Sequence, residues 1–248
     1  MTTPHPAGVD PTARIASTSI IGSPSRPLLD GREVETEGHT VIGPGVWIGN
    51  FSTIGPGVTI GARSIVEDYV SIQANAVLGT GVLVTSKAWL GIGASVGDGC
   101  IIKGHVGDNV KVGAGCRIAG ELIHRQLDPS IPWDDPVEEA SPIVGDGAFV
   151  GWRAIVIGGV NIGDGAYVCA GALVTRDVPD GHIARGRNEI MPPSDWPGAL
   201  GKSPFFAARE SGSATAPVSQ RMLGDLQLRP PASWRSWVRR PAAGRARS

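Results

Sequence analysis

The side chains of this chain best suited to proton transfer near neutral pH are its five histidines, namely His5, His39, His105, His124 and His182. An imidazole has an ordinary pKa of about 6.5 and can act as a general base. His124 begins a 20-residue segment, 124–143, that holds five acidic residues and one arginine, a charge of about −4. An excursion of this length is usually functional or disordered. His124 is therefore the leading candidate for a catalytic base, and the segment is either a solvated acidic loop or an arm that favours cationic acceptors.

The three cysteines, Cys100, Cys116 and Cys169, are expected to serve packing rather than chemistry. Their odd number and wide spacing argue against a disulfide framework and predict a cytoplasmic protein. The C-x-x-C spacing typical of structural zinc is absent from the sequence. We therefore expect no metal site built on cysteine.

Composition narrows the fold class. The chain has 36 glycines and 20 prolines among 248 residues, and both residue types destabilise helices. The 22 basic and 23 acidic residues nearly cancel, which gives no reason to expect nucleic acid as a partner. No apolar run approaches the roughly 20 residues of a membrane helix, so no membrane partner is expected.

A six-residue period dominates the chain. Aliphatic residues recur at this spacing at Ile42, Ile48, Ile54, Ile60, Val66, Ile72, Leu78, Val84, Leu90, Val96 and Ile102. The phase then slips at Gly104-His105-Val106, where two residues are missing from the rhythm, and it returns from Val144 to Val174. A period of six fits neither a helix face nor a simple amphipathic strand. It indicates a repeated unit of a short strand and a turn, which we call a hexad.

Three hexads close one triangular coil, and stacked coils pair strand on strand. The sequence thus predicts an N-terminal segment, 1–41, with a partial coil and a loop. A repeat domain follows at 42–190, interrupted by the excursion at 124–143. Residues 191–248 form an irregular extension rich in proline and arginine, whose last part, 221–248, carries seven arginines and one aspartate.

The repeat resembles that of the hexapeptide-repeat acyltransferases, and the resemblance covers roughly residues 42–190. It implies an all-β fold, a left-handed parallel β-helix. It also implies acyl-CoA as the acyl donor, no metal, and a homotrimer with sites shared between prisms.

The resemblance also assigns site residues. The catalytic histidine of the family lies at an excursion loop, shortly before a segment like Ser141-Pro142-Ile143-Val144-Gly145-Asp146, and His124 matches that placement. Backbone groups at Trp152 and Ala170 would contact the pantetheine arm of coenzyme A, and Thr175 and Arg176 would lie near its phosphates. Trp152 stands where relatives have a small residue, and the family's closing Gly-x-Pro-Ala signature is replaced by Gly186-Arg187-Asn188-Glu189.

The expected activity is direct transfer of an acyl group, most simply acetyl, to a hydroxyl or amine of an amino sugar, a sugar nucleotide, an antibiotic or another secondary metabolite. Two alternatives stay open. His105 precedes His124 by about one coil, so the two could stand one above the other, as in a zinc hydratase of the γ-carbonic anhydrase type. A third histidine in a fitting coil position is missing. The chain could also be a non-catalytic scaffold.

Overall fold

The structure, a computed structural model, describes residues 8–23, 39–124 and 140–210. In these ranges short strands and corners wind into a parallel β-solenoid of about seven turns with almost no helix. This architecture fits the left-handed β-helix and confirms the predicted fold class. Residues 125–139 of the excursion and the arginine-rich part of the C-terminal extension lie outside the described residues.

Three sheets form the faces of the prism. The first sheet contains β1 (Arg14–Ile15), β4 (Trp47–Ile48), β7 (Ile65–Val66), β10 (Leu83–Val84), β13 (Ile101–Ile102), β16 (Arg117–Ile118), β19 (Phe149–Val150), β22 (Tyr167–Val168), β24 (Ile183–Arg185) and β25 (Glu189–Met191). The second sheet contains β2 (Ile20–Ile21), β5 (Thr53–Ile54), β8 (Ser71–Ile72), β11 (Trp89–Leu90), β14 (His105–Val106), β17 (Glu121–Ile123), β20 (Ile155–Ile157) and β23 (Leu173–Val174). The third sheet contains β3 (Val41–Ile42), β6 (Thr59–Ile60), β9 (Val77–Leu78), β12 (Ser95–Val96), β15 (Lys111–Val112), β18 (Ile143–Val144) and β21 (Asn161–Ile162). The chain visits the third, first and second sheets in turn, so one coil uses one strand of each.

The coil length changes in the middle of the prism. Ile48 pairs with Val66, a step of three full hexads. On the second sheet, Leu90 pairs with Val106 and Val106 with Leu122, so each of these two successive coils is two residues shorter than three hexads. Both coils are shortened at the corner between the first and second sheets. The structure therefore confirms the loss of two residues predicted at His105 and shows a second loss of two residues in the next coil.

The core is the thin column predicted from the repeat. The aliphatic residues that recur every six positions, which we call the aliphatic ladder, are fully buried, as at Ile48, Ile54 and Leu90. The small residues four places later also point inward, including Cys100 and Cys116 at 0 % exposure. Each coil donates backbone hydrogen bonds to the next, as Gly49 N–H does to the Val66 carbonyl at 2.8 Å. Isolated coils would leave these groups unpaired, which is why stacking stabilises the fold.

Aspartates cap many of the corners. The Asp146 Oδ1 atom accepts a hydrogen bond from the Ala114 N–H at 2.7 Å, and Asp164 Oδ1 accepts one from the Asp146 N–H at 2.8 Å. These carboxylates lie so close to the preceding coil that a Cβ at Gly113 or Gly145 would overlap them. These positions therefore need glycine because an aspartate of the next coil occupies the space of a Cβ.

The end of the described chain covers part of the first sheet. After β25, which is antiparallel to β24, come two 3-10 turns (Pro193–Asp195 and Leu200–Lys202) and a helix, α1 (Pro204–Glu210). The ring of Phe205 lies 5.1 Å from that of Tyr167, and the Tyr167 ring stacks on Phe149 at 4.5 Å. Residues 193–210 therefore contain short helices that the repeat did not predict.

No helix in the described part of the chain is long and apolar enough to cross a bilayer.

Candidate active site

The second sheet carries a row of chemically active side chains on its outer face. His105, on β14, lies in register between Trp89 on β11 and Glu121 on β17. Its imidazole stacks on the Trp89 indole with 4.2 Å between ring centroids and 18° between planes. This stack restricts the orientation of the His105 ring. Both shortened coils contribute to the row, because the steps from Trp89 to His105 and from His105 to Glu121 are one shortened coil each.

His105 sits in a mixed electrostatic environment. Partial burial lowers the pKa of its imidazole from 6.5, whereas the carboxylates of Glu121 and Asp108 act to raise it. The charge of His124 adds to the lowering. Burial is the largest of these effects, so His105 is predominantly neutral near pH 7. The neutral imidazole is the form that can accept a proton.

His124 lies directly after β17, at the corner between the second and third sheets. The Gly107 N–H donates to the Leu122 carbonyl at 2.8 Å, which places Asp108 and His124 at neighbouring coils of this corner. The Ser141 hydroxyl donates to the Asp108 carbonyl oxygen at 2.6 Å, so the chain returns from the excursion at the same place. His124 therefore lies at the base of the excursion, as the sequence predicted.

The alternative in which His105 and His124 stand one above the other is wrong. Register places Glu121, not His124, opposite His105, because the second slip removes two more residues from the coil. The two histidines still interact electrostatically across the strand. His39 and His182 belong to distant parts of the prism, at its start and at its last coil. Among the described residues no group of three or more histidine, cysteine, aspartate or glutamate side chains is placed to hold a metal ion.

Trp152 and Ala170 meet at one corner, between the first and second sheets. The Gly171 N–H donates to the Trp152 carbonyl at 2.9 Å, so the two corner turns are stacked one on the other. The N–H groups of Trp152 and Ala170 donate no hydrogen bond within the described ranges. The Trp152 indole is 60 % exposed. The two adjacent N–H donors at this corner are suited to bind a carbonyl or amide group.

Thr175 and Arg176 lie at the opposite edge of the second sheet, two coils beyond His124. Asn188 binds both residues, because its side chain exchanges hydrogen bonds with Thr175 at 2.8 and 2.9 Å and its carbonyl accepts one from Arg176 Nη2 at 2.7 Å. The Arg176 side chain is exposed and Thr175 lies at the surface beside it. The structure therefore separates the four residues assigned to coenzyme A into two pairs, one on each edge of the sheet.

Two of the three cysteines have the packing role that was expected. Cys100 and Cys116 are buried in the core, and their thiols lie 3.0 Å from the carbonyl oxygens of Gly113 and Gly145. The hydrogen bond with Cys116 and burial together raise the pKa of Cys100. Burial also raises the pKa of Cys169. Neither Cys100 nor Cys169 is thereby activated as a thiolate nucleophile.

Glu121 and Asp108 were not recognised from the sequence as part of this site. The signal that would have found them is the step of four from Ile118 to Leu122, which repeats the earlier step from Ile102 to Val106. Each step of four replaces a step of six, so the coil between them loses two residues and His105 aligns with Glu121.

Two segments of the chain match models of known repeats. Residues 39–72 match the bacterial transferase hexapeptide, and residues 143–176 match the hexapeptide repeat of succinyl-transferase.

Among individual proteins, 80 residues of the chain are 38 % identical to a 2,3,4,5-tetrahydropyridine-2,6-dicarboxylate N-acetyltransferase of Staphylococcus aureus. The match spans 32 % of this chain and 28 % of that relative. Among solved structures, PerB of Caulobacter crescentus, in complex with CoA and GDP-perosamine, aligns with 20 % identity and a TM-score of 0.23 over 74 % of this chain and 56 % of PerB. A hexapeptide transferase family protein of Anaplasma phagocytophilum aligns with 16 % identity and a TM-score of 0.34, over 86 % and 91 % of the two chains.

Proposed function

We propose that this chain, a hexapeptide-repeat protein, is an acyl-CoA-dependent acyltransferase. It transfers an acyl group, most simply acetyl, directly to a hydroxyl or amine of a small acceptor such as an amino sugar, a sugar nucleotide, an antibiotic or another secondary metabolite. The observation that carries this proposal is the cluster of His105, Asp108, Glu121 and His124, which lies where the repeat shortens and the excursion leaves. The matches to transferase repeats and to an N-acetyltransferase support it.

His124 is the general base in this mechanism. Its imidazole takes the proton of the acceptor O–H or N–H as the acceptor oxygen or nitrogen attacks the thioester carbonyl carbon. A tetrahedral oxyanion forms, the C–S bond breaks, and the proton passes to the departing thiolate to give free coenzyme A. General bases contribute about 10²–10⁴-fold to rate. His105 is the closest alternative, because its neutral imidazole faces the same side of the prism.

The donor is held along the second sheet and its two edges. The N–H groups of Trp152 and Ala170, which have no acceptor among the described residues, bind amides of the pantetheine arm. Arg176 binds a phosphate of coenzyme A with the guanidinium donors that Asn188 leaves unused. Thr175 reinforces that corner through its bonds with Asn188. The exposed indole of Trp152 shapes the groove, so the length of the acyl chain depends on this residue.

Assembly completes the proposed site. A prism has flat outer faces, and hydrophobic side chains on the third sheet, Val41, Val77 and Ile143, are 43–48 % exposed. We propose that three copies of the 25.6 kDa chain form a cyclic homotrimer with sites between adjacent prisms. Light scattering should give a mass of about three chains. A monomer at micromolar concentration would contradict both the trimer and the shared site.

The decisive experiment for the base is thiol release from acetyl-CoA with a panel of amino sugars and hydroxylated acceptors. His124→Ala should fold normally, bind coenzyme A normally and lose about 10²–10⁴-fold in kcat with little change in the KM for acetyl-CoA. His105→Ala and His39→Ala should each lose less than about tenfold, a small effect beside that of a base. An active His124→Ala protein together with an inactive His105→Ala protein would show that His105, on β14, is the general base.

A further inference from the structure

The two shortened coils leave a recess in one edge of the prism. In four successive coils, the corner that leads from the first sheet to the second ends at Ala88, Gly104, Gly120 and Ala154. The N–H of the next residue donates a hydrogen bond to the carbonyl at the end of the following coil's corner, as in Trp89 to Gly104, His105 to Gly120 and Glu121 to Ala154. The outer corners, 85–88 and 151–154, have four residues each, whereas 103–104 and 119–120 have only two. We name the gap between the two outer corners the corner recess. It spans three coil steps, or roughly 14 Å between those corners.

The floor of the corner recess is backbone in close contact. A Cβ at Gly104 would overlap the Gly120 carbonyl oxygen, and a Cβ at Gly120 would overlap the Ala154 carbonyl oxygen. Glycine at both places lets successive coils approach closely, so backbone atoms form the floor of the recess.

An ammonium group lies beside this recess. Lys103 is on the first short corner and Trp152 is on the flanking corner two coils further on, and the Lys103 Nζ atom stands 6.0 Å from the centre of the Trp152 ring. The two side chains therefore approach each other across the second short corner. Lys103 forms no ion pair with any residue in the described ranges. Lys87 and Arg153, both exposed, lie on the two flanking corners. The Glu67 carboxylate, which accepts hydrogen bonds from the Ser86 N–H and hydroxyl at 2.8 and 2.9 Å, lies on the Lys87 corner.

The recess opens directly onto the candidate active site. Gly104 and Gly120 immediately precede His105 and Glu121 on the outer face of the second sheet. At about 3.3 Å per strand residue, the path from Lys103 to His105 is roughly 7 Å and that from Gly120 to His124 is roughly 13 Å. A ligand of that length would place one end among the cations and the other beside the two histidines and Glu121.

We infer that the corner recess binds an anionic group of the acceptor substrate, a phosphate or a carboxylate about 7–13 Å from the hydroxyl or amine that is acylated. Lys103 is the main contact, and Lys87 and Arg153 add to the positive potential. Glu121 and Asp108, at the other end, favour a protonated amine before His124 removes its proton. This inference rests on the proposed acyl transfer and names the class of its acceptor.

Calorimetry without coenzyme A tests the recess separately from catalysis. The probes are glucosamine 6-phosphate with glucosamine, and 6-aminohexanoate with 6-amino-1-hexanol, so each anionic compound has a counterpart without the anionic group. The wild-type protein should bind the anionic member of at least one pair about tenfold or more tightly, as expected for a charge-assisted contact. The pair that shows the preference tells whether phosphate or carboxylate is recognised. Equal binding within both pairs overturns the inference.

Matched variants locate the binding. Lys103→Ala should abolish the preference, whereas Lys202→Ala, an equal loss of charge in the exposed 3-10 turn Leu200–Lys202, should keep it. Ala119→Trp should also abolish it by filling the recess, with a thermal melt to confirm that the protein is folded. Equal effects of Lys103→Ala and Lys202→Ala overturn the assignment. If the wild-type protein shows the preference and yet releases no thiol from acetyl-CoA with any acceptor, the recess stands and the proposed acyl transfer fails.

Discussion

The coils between residues 41 and 102 and the two coils that follow them have the same core but differ at one corner. In the first region every coil takes three full hexads, and the corner after the first sheet presents Phe51, Tyr69 and Lys87 in left-handed backbone. In the second region that corner has two residues and no left-handed position. The regular coils have outward corners, and the shortened coils have a recess beside His105 and Glu121.

The difference shows how a repeat protein makes room for chemistry. Inward residues cannot change much, because each one packs against the same position of the next coil. Corners tolerate deletion, because the strands on both sides keep their pairing. The deletion removes two corner residues next to His105, while the neighbouring corner begins the long excursion at His124. The candidate functional residues thus accumulate where the repeat is broken.

The largest effect we expect comes from closing the short corner. Gly104→Ala places a Cβ against the Gly120 carbonyl oxygen, which the sheet holds in place, and should cost about 3 kcal/mol or more in the free energy of unfolding. Gly171→Ala is the matched control in a regular corner. There φ is +72° and nothing lies within 4 Å of the added Cβ, so about 1 kcal/mol of backbone strain is expected. Urea denaturation measures both, and equal costs would contradict the tight packing of the short coils.

The second effect is on coenzyme A. Arg176→Ala should weaken its binding by about 1–3 kcal/mol if the guanidinium grips a phosphate. Calorimetry with coenzyme A and 3′-dephospho-coenzyme A tells which phosphate is bound. Because Arg176 also donates to the Asn188 carbonyl at 2.7 Å, a thermal melt must show that the corner is intact. Lys202→Ala, in the exposed 3-10 turn Leu200–Lys202, should leave the affinity unchanged. If the wild-type protein binds coenzyme A and 3′-dephospho-coenzyme A with equal affinity, no residue contacts the 3′-phosphate.

A smaller effect is expected in the regular corners. Asp146→Ala removes the carboxylate that accepts the Ala114 N–H and should destabilise the protein by about 1 kcal/mol, as loss of a helix cap does. Asp195→Ala, whose carboxylate accepts only the adjacent Ser194 hydroxyl within the described ranges, should change stability by less than about 0.5 kcal/mol. Equal losses in the free energy of unfolding of the two variants would contradict a stabilising role for the aspartate caps.

The smallest effect is the dependence of stability on pH. Burial lowers the pKa of His105 below its ordinary 6.5, so the folded protein binds fewer protons than the unfolded chain. The resulting stability is fully present above about pH 6.5 and is lost as the pH falls through the folded pKa. His105→Phe keeps a ring against Trp89 but removes the titration, so unfolding free energies measured between about pH 7 and pH 5 should fall less steeply than in the wild type. An unchanged slope would contradict the lowered pKa.

The repeat made the fold predictable, because each aliphatic residue of the ladder has one place in the coil. The placement of His124 was predictable for the same reason, since it follows the last strand before the break. The helix Pro204–Glu210 was not predictable from periodicity. Phe205 and Phe206 contact Tyr167 at ring distances of 5.1 and 5.5 Å, so this helix packs on a tertiary surface that the local sequence does not display.

The partners of His105 were not predictable from spacing alone, because the register depends on both deletions. With one slip, His105 would stack near His124; with two, Glu121 takes that place. The basic recess was hidden for a similar reason. Lys103 and Trp152 are far apart in sequence, and the stacking of coils brings their side chains together across the second short corner.

Hydrogen exchange with and without coenzyme A tests the central claim most directly, namely that the interrupted side of the prism holds the acyl donor. We expect coenzyme A to slow amide exchange in peptides covering 103–124 and 150–188, above all at the N–H groups of Trp152 and Ala170. Peptides covering 41–72, in the regular coils, should exchange at unchanged rates. Protection confined to the regular coils, or no binding of coenzyme A at all, would contradict the account.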